Sequence, residues 1–262
     1  IRYLFKSKYP EANILDQSQI IGSIRSNALT YLNVFDKIRS IFAHHSGKSA
    51  SLFSYNGQGA CPICKGKGYI KLDLAYMGNV EQVCEACHGK RYNAEALSVL
   101  WQSLNIYDLL QLPVNKAIDL FEDDALTRVM QALIDVNLGY IKLGQSLDTY
   151  SGGERQRLKI AKIIYQEASD LLILDEPSTG LHESDIDKLL LLFHKLLEKN
   201  KTLIVLEHNL KIISNAQWII DMGPGGGNLG GKVLFEGYPV DLLKMKDSYT
   251  AKHLRKYIND KK

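Results

Sequence analysis

Two short segments of this 262-residue chain constrain its fold more than any other feature. The first is the run Ser-Gly-Gly-Glu at residues 151–154, and the second is an apolar run at residues 171–174 that ends in Asp175, Glu176 and Pro177. The first pattern predicts the start of a helix, and the second predicts the end of a buried strand. In α/β proteins, helix starts and strand ends of this kind are places where anionic ligands bind.

The helix that follows Ser151 has a well-defined start. Ser151 and Glu154 have the spacing of a capping box, in which each side chain accepts a hydrogen bond from the other residue's backbone N–H. Gly152 and Gly153 leave the amides of the first turn uncovered, so an anion can approach them closely. Because an ordinary capped amphipathic helix would carry the same four residues, a binding function depends on the second segment.

The second segment predicts a buried parallel strand with two carboxylates at its carboxyl end. Asp175 would hold Mg²⁺ there, and Glu176 would polarise an attacking water molecule, unless the segment is a plain strand-to-turn exit. A further apolar strand at residues 202–207 ends in His208, with a helix predicted between the two strands at residues 184–199. His208 should therefore emerge at the same sheet edge as Asp175 and could reach a phosphate, although a lone histidine is usually a surface or capping residue.

All four cysteines lie in two C-x2-C pairs, Cys61 with Cys64 and Cys84 with Cys87, and nineteen residues separate the pairs. Four thiolates at this spacing can complete a tetrahedral Zn²⁺ site. A glycine two residues after each pair suits a tight left-handed turn. The competing interpretation is a thioredoxin-like redox pair, which does not need two matched pairs. We therefore predict a structural zinc module at residues 55–93.

Basic and aromatic residues are interleaved around the cysteine pairs. Residues 69–79 predict a hairpin that turns at Gly78 and Asn79. Cations beside aromatic rings suit contacts with a nucleic-acid backbone and stacking on distorted bases, but a solvated face around a zinc ribbon would look the same at any one position. The candidate DNA-binding residues are Lys65, Lys67, Lys71, Tyr76, Lys90 and Arg91, with Tyr69 and Tyr92 as further aromatic neighbours.

Together these motifs resemble the C-terminal half of UvrA, the ABC-type damage-recognition subunit of bacterial nucleotide excision repair. The resemblance covers nearly the whole chain. DQS at residues 16–18 matches the family's glutamine loop, DEPSTGLH at residues 175–182 its acidic strand and loop, and EHNL at residues 207–210 its histidine switch. The resemblance implies that Gln17 senses Mg²⁺ and phosphate, and that residues 151–154 contact ATP held by a second cassette.

The resemblance implies an α/β fold: an ABC-type ATPase core with a parallel sheet, plus an inserted helical signature region and a zinc-ribbon module. The core would comprise residues 1–45 and 151–262, with the insertion at residues 46–150. The sequence contains no G-x4-G-K-[ST] phosphate loop, which in the family lies upstream of Gln17. We therefore expect a fragment of a longer P-loop NTPase, inactive as an ATPase without the upstream loop.

The intact protein would couple ATP binding and hydrolysis to the conformation of a zinc-bearing DNA surface. The implied cofactors are ATP, Mg²⁺ and structural Zn²⁺. The implied partners are double-stranded DNA, preferably damaged, the N-terminal cassette half, a homodimer partner and a nuclease-loading repair subunit. Because there is no signal peptide or long apolar stretch and the net charge is only +3, we expect a cytoplasmic protein with a local DNA-binding patch and no membrane partner.

Several positions depart from the common repair-subunit pattern. Residues 77–79 stand where the family has a proline-containing hairpin tip. Gln19, Ile24 and Ala28 each stand where proline is typical, and Tyr150 stands where leucine is usual. These departures leave open a UvrA-like paralogue that gives resistance to DNA-binding drugs. A transporter-type ABC cassette is a further alternative, which the zinc module disfavours.

Overall fold

The computed structural model describes residues 2–18, 20, 22–74, 78–166, 169–225 and 230–260. The chain forms two compact units, one of Ile1–Gln17 with Ala168–Lys262 and one of Ser18–Glu167. The predicted limits of the nucleotide-binding core, at residues 45 and 150, rest on motifs and stay a prediction. Packing divides the chain elsewhere, because the helices at Phe35–Ser46 and Gly152–Gln166 both pack within the second unit.

The described part of the chain contains both strands and helices, with a run of helices between β3 and β4. In chain order the strands are β1 (Asn13–Leu15), β2 (Tyr69–Leu74), β3 (Gly78–Val83), β4 (Leu171–Asp175), β5 (Thr202–Leu206), β6 (Ile219–Gly223) and β7 (Lys232–Gly237). The helices are α1 (Arg2–Lys8), α2 (Ala28–Tyr31), α3 (Phe35–Ser46), α4 (Ala94–Ser98), α5 (Ile106–Gln111), α6 (Val114–Ala117), α7 (Asp124–Asp135), α8 (Gly152–Gln166), α9 (Glu183–Glu198), α10 (Leu210–Ser214), α11 (Pro239–Leu242) and α12 (Tyr249–Asn259). Short 3-10 turns occupy Ala50–Phe53, Ile118–Leu120 and Leu147–Thr149.

The first unit is built on a parallel sheet in the order β1-β4-β5. Strand β4 lies in the centre and buries Leu172, Ile173 and Leu174, as its continuous apolar run predicts. Helix α9 connects β4 to β5 and packs against β5. The predicted strands and the helix between them are confirmed to within two residues at each end, and so is the α/β fold class.

The first unit also contains α1 and a β6–β7 antiparallel pair with helices α10 to α12. The β6–β7 part has a core of its own. Ile219, Leu242, Ala251 and Leu254 form its apolar core. Beside this core the buried carboxylate of Asp221 accepts hydrogen bonds from two hydroxyls near the start of α12, at 2.6 and 2.7 Å. A buried carboxylate with two donors is stable in an apolar setting and joins β6 to α12.

The second unit is mostly helical and has its own core. Helix α7 buries Leu126, Val129, Met130 and Leu133, which recur at the spacing of one helical face, and it packs against α8. The capping box predicted at the start of α8 is confirmed, since Ser151 and Glu154 each accept a hydrogen bond from the other's backbone N–H. Of the described helices in either unit, none has the length and apolar character needed to cross a bilayer.

Strands β2 and β3 form the predicted hairpin, but its turn is not where the sequence suggested. Leu74 pairs with Gly78 and Asp73 pairs with Asn79, so Gly78 and Asn79 belong to strand β3. The predicted turn at these two residues is therefore wrong, because cross-strand pairing continues through them. Residues 75–77, which include the candidate Tyr76, lie outside the described residues.

Candidate nucleotide site and metal centre

The candidate nucleotide residues of the first unit gather at one edge of its parallel sheet. Leu15 of β1 pairs with Leu174 of β4, and Asp175 pairs with Leu206 of β5. Because the three strands run in the same direction, Gln17, Glu176 and His208 follow neighbouring strand ends. This edge is where α/β proteins bind ligands. Gln17 and His208 are exposed and Asp175 is half-buried, so the three can be reached from solvent.

Glu176 is held in an uncommon backbone conformation at this edge. Its φ angle is 47°, in the left-handed region, and its N–H donates to the carbonyl of Leu206 at 2.9 Å. Its carboxylate accepts from the hydroxyl of Thr179 at 3.2 Å and lies 3.8 Å from Nδ1 of His208. Non-glycine residues in this region are energetically costly and concentrate at functional sites. The sheet edge therefore brings together an acid and an imidazole.

The carboxylate of Glu207, a residue of the EHNL motif with no predicted role of its own, accepts three hydrogen bonds from backbone N–H groups. One oxygen, Oε1, accepts from the backbone N–H of Ser178 at 2.8 Å. The other oxygen, Oε2, accepts from the backbone N–H groups of His208 and Asn209, each at 3.0 Å. The signal that could have indicated this role is the position of a carboxylate directly after an apolar strand and before an asparagine-capped helix.

The start of α8, in the second unit, has a complete capping box. The backbone N–H of Ser151 donates to Glu154 Oε2 at 2.7 Å, and the N–H of Glu154 donates to Ser151 Oγ at 3.2 Å. Around Gly152 there is open space, since no atom lies within 4 Å of the position a Cβ would take. The first turn is therefore open to an anion at Gly152, whereas Gly153 is buried.

The Glu154 carboxylate also accepts a hydrogen bond from a tyrosine. The hydroxyl of Tyr140 donates to Glu154 Oε1 at 2.5 Å. Burial raises the pKa of Glu154, but hydrogen bonds from Tyr140 and Ser151, with the nearby charge of Arg157, lower it below its ordinary value overall. Tyr150 is buried beside this group, and its hydroxyl has no hydrogen-bond partner among the described atoms. Nothing in the structure explains tyrosine at position 150.

The four cysteines converge in the second unit, and all their sulfur atoms lie within 4.8 Å of one another. The Sγ atoms of Cys61 and Cys84 are 4.0 Å apart, and those of Cys64 and Cys87 are 3.7 Å apart. Four sulfurs bound to a tetrahedral Zn²⁺ at about 2.3 Å lie roughly 3.8 Å from one another. The cluster therefore has the donors and the spacing of a closed structural zinc site, and disulfide pairing is absent from it.

The backbone around the sulfurs has the predicted left-handed turns. Gly66 and Gly89 have φ angles of 77° and 78°. A Cβ on Gly66 would also lie 1.8 Å from the carbonyl oxygen of Tyr55, so only glycine fits there. Burial raises the pKa of Cys87 to about 12. Burial also opposes ionisation of Cys64, but the hydrogen bond from the Gly68 N–H and those with the other thiols together outweigh it and lower its pKa to about 7. Cys64 therefore loses its proton more readily than Cys87.

Of the predicted DNA-binding residues, the lysines lie toward solvent to different extents. Lys65 and Lys67 are exposed. Lys71 is exposed and forms an ion pair with Glu81 at 3.5 Å. Lys90 is half-buried, with its Nζ 5.9 Å from the centre of the Tyr107 ring. Lys65 and Lys67 are therefore the two candidates with the most accessible charge.

The side chain of Arg91 contacts other residues of the protein and does not point freely into solvent. Its guanidinium donates to the carbonyls of Gly66 at 2.9 Å and Ile24 at 2.5 Å and lies 3.9 Å from the centre of the Tyr55 ring. Tyr92 is 2% exposed and packs edge-on against Tyr55, so it cannot stack on a base in this structure. These contacts give Arg91 and Tyr92 a structural role, and DNA contact by Arg91 stays a prediction that its geometry does not favour.

Comparisons with known proteins agree with this arrangement. The sequence model of the family described as ABC transporter matches residues 46–179, slightly more than half of the chain. UvrABC system protein A of Aquifex aeolicus (strain VF5) is 45% identical over 253 residues, which cover 93% of this chain and 27% of the relative. The protein of the same name from Staphylococcus aureus (strain COL) is 43% identical with the same coverage.

A solved structure is similar over the same extent. The crystal structure of UvrA2 from Deinococcus radiodurans matches with a TM-score of 0.80 and 37% identity, covering 94% of this chain and 32% of that chain. The chain thus spans about a quarter to a third of the length of these relatives. It belongs to the ABC transporter family and, within it, to the UvrA family.

Proposed function

We propose that this chain is the C-terminal ATPase segment of a UvrA-type protein that recognises damaged double-stranded DNA in nucleotide excision repair in the cytoplasm. The observation that carries the proposal is the carboxyl edge of the β1-β4-β5 sheet, where Glu176 lies 3.8 Å from His208 and Gln17 follows the neighbouring strand. In the intact protein, ATP binding and hydrolysis would be coupled to DNA binding, with a second cassette and a homodimer partner completing the nucleotide sites.

Each residue at this edge has a chemical role in the proposal. Asp175 would hold Mg²⁺, which when bound neutralises charge on the phosphates. Glu176 would orient and polarise the attacking water, for which a half-buried carboxylate on a constrained backbone is suited. His208 would donate to the terminal phosphate, and Gln17 would report whether the metal and the phosphate are in place. Residues 151–154 would bind the phosphates of ATP held by the partner cassette.

The zinc centre and the surface around it would form the DNA contact. Cys61, Cys64, Cys84 and Cys87 would hold Zn²⁺ as a structural ion that stabilises residues 55–93. The exposed charges of Lys65 and Lys67 would contact the phosphate backbone, which gives binding that weakens with salt. Lys71, Tyr76 and Lys90 are further candidates, and a nuclease-loading repair subunit is the expected protein partner.

The test is the substitution Glu176→Gln in the full-length protein. The amide cannot accept a proton, so ATP turnover should fall at least about 100-fold while nucleotide affinity is retained. The matched control is Glu198→Gln, an exposed residue at the end of α9 in the same unit, which should hydrolyse ATP at the normal rate. Normal turnover in Glu176→Gln would overturn the assignment of Glu176 as the catalytic carboxylate.

A further inference from the structure

Glu207 connects two loops that are far apart in the sequence. It immediately follows β5, and its carboxylate accepts from the backbone N–H of Ser178, 29 residues away, at 2.8 Å through Oε1. Through Oε2 it accepts from the N–H groups of His208 and Asn209 at 3.0 Å. The first contact is with the loop that follows Glu176, and the other two are within the loop that carries His208.

The three contacts involve both oxygens of the carboxylate. Hydrogen bonds from backbone N–H groups to an ionised carboxylate are stronger than bonds between neutral groups. Glu207 is half-buried and Ser178 is buried, so solvent competes with these bonds less than at an open surface. A local cap of the His208 loop would need only one acceptor atom. The second oxygen serves the other loop.

The link reaches the candidate catalytic carboxylate through short steps. Ser178 precedes Thr179, whose hydroxyl donates to Glu176 Oε2 at 3.2 Å and whose N–H donates to the Glu176 carbonyl at 3.1 Å. The Glu176 N–H is itself bonded to Leu206, the residue before Glu207. We propose that Glu207 is a positioning residue that locks the His208 loop to the loop after Glu176, so that the imidazole and the carboxylate keep one spacing. This inference rests on the ATPase function proposed above.

Two conservative substitutions separate the cross-loop contact from the local contacts. In Glu207→Gln, the amide oxygen can still accept from His208 and Asn209, but the NH2 group then faces the Ser178 N–H, and two donors cannot bond each other. In Glu207→Asp, the charge is kept, but the side chain is one methylene shorter and does not reach Ser178. Both variants should lose the same contact for different reasons, and Glu198→Gln is again the matched control.

The kinetic experiment uses the full-length protein. Because Glu207 acts on Glu176 and His208 and not on the nucleotide, both variants should lower kcat roughly tenfold and leave KM for MgATP within about twofold. If Glu207 were needed only for folding, its substitution would reduce the fraction of active enzyme, and the folded enzyme would keep its normal kcat. Unchanged kcat in both folded variants would overturn the proposal.

Hydrogen exchange followed by mass spectrometry gives a readout that does not need ATPase activity. In both variants, the peptide that contains Ser178 and Thr179 should exchange at least about tenfold faster, while the peptide that contains Asn209 keeps its protection. Unchanged exchange at Ser178 would overturn the link itself. If the unmodified full-length protein hydrolysed no ATP, the proposed function would fail, and the exchange result would then decide the loop link separately.

Discussion

The hydroxyl of Tyr140 donates to the same Glu154 carboxylate that closes the capping box with Ser151, at 2.5 Å from Oε1. One carboxylate thus holds both the backbone amide at the start of α8 and a tyrosine from the loop after α7. The geometry of the proposed phosphate-binding turn therefore depends on a residue outside the signature motif.

Replacing Tyr140 by phenylalanine should weaken the start of α8. Loss of one hydrogen bond to a partly exposed carboxylate should lower the free energy of unfolding by about 1 kcal/mol, measured by urea denaturation at pH 7. The control is Tyr249→Phe, because Tyr249 is 67% exposed, and this variant should keep the stability of the unmodified protein. Equal stability of Tyr140→Phe and the unmodified protein would contradict the prediction.

The same contact predicts a pH dependence. The pKa of Glu154 is lowered in the folded state, with Tyr140 among the causes. A lowered pKa contributes stability that is present above the ordinary value of 4.5 and is lost as the pH falls through the folded value. The stability difference between Tyr140→Phe and the unmodified protein should therefore shrink below about pH 4.5. A difference that grew on acidification would have the wrong sign.

Substitution of Arg91 should lower stability, whereas substitution of Lys65 should weaken DNA binding. Arg91→Ala removes two hydrogen bonds and the contact with the Tyr55 ring, and should lower the free energy of unfolding by about 2–3 kcal/mol. Lys65→Ala should change the free energy of unfolding by less than about 0.5 kcal/mol. It should also reduce the slope of log DNA affinity against log salt concentration by about one. Denaturation and DNA titrations at several salt concentrations test both. Full stability of Arg91→Ala would contradict its structural role.

Removal of zinc should unfold the zinc module selectively. A strong chelator should raise exchange across residues 55–93 and change the near-ultraviolet spectra, because Tyr55 and Tyr92 are buried beside the cysteines, while β4 stays protected. Zinc affinity should rise between pH 6 and pH 8, since the metal must displace thiol protons and the pKa of Cys64 is about 7. Tyrosine and tryptophan spectra that stay unchanged after zinc removal would argue against the site.

Sequence alone determined those features of the protein whose physical cause is local. Ser151 and Glu154 cap a helix because they are three residues apart, and the apolar run before Asp175 forms a central strand because both of its faces are buried. The two cysteine pairs predicted one cluster, because each pair already has the geometry of half a tetrahedral site. Asp175 and His208 could be assigned to one sheet edge because each lies at the end of a predicted parallel strand.

Only the tertiary structure decided which distant groups meet. Glu207 reaches Ser178 because the register of β4 and β5 aligns the two strand ends. Arg91, a predicted DNA contact, turns inward because the ring of Tyr55 and two carbonyl groups lie beside it. Gly78 and Asn79 lie in β3 and not in a turn because cross-strand pairing outweighs their local turn preference. Such contacts depend on how separate segments pack, and spacing along the chain does not encode that.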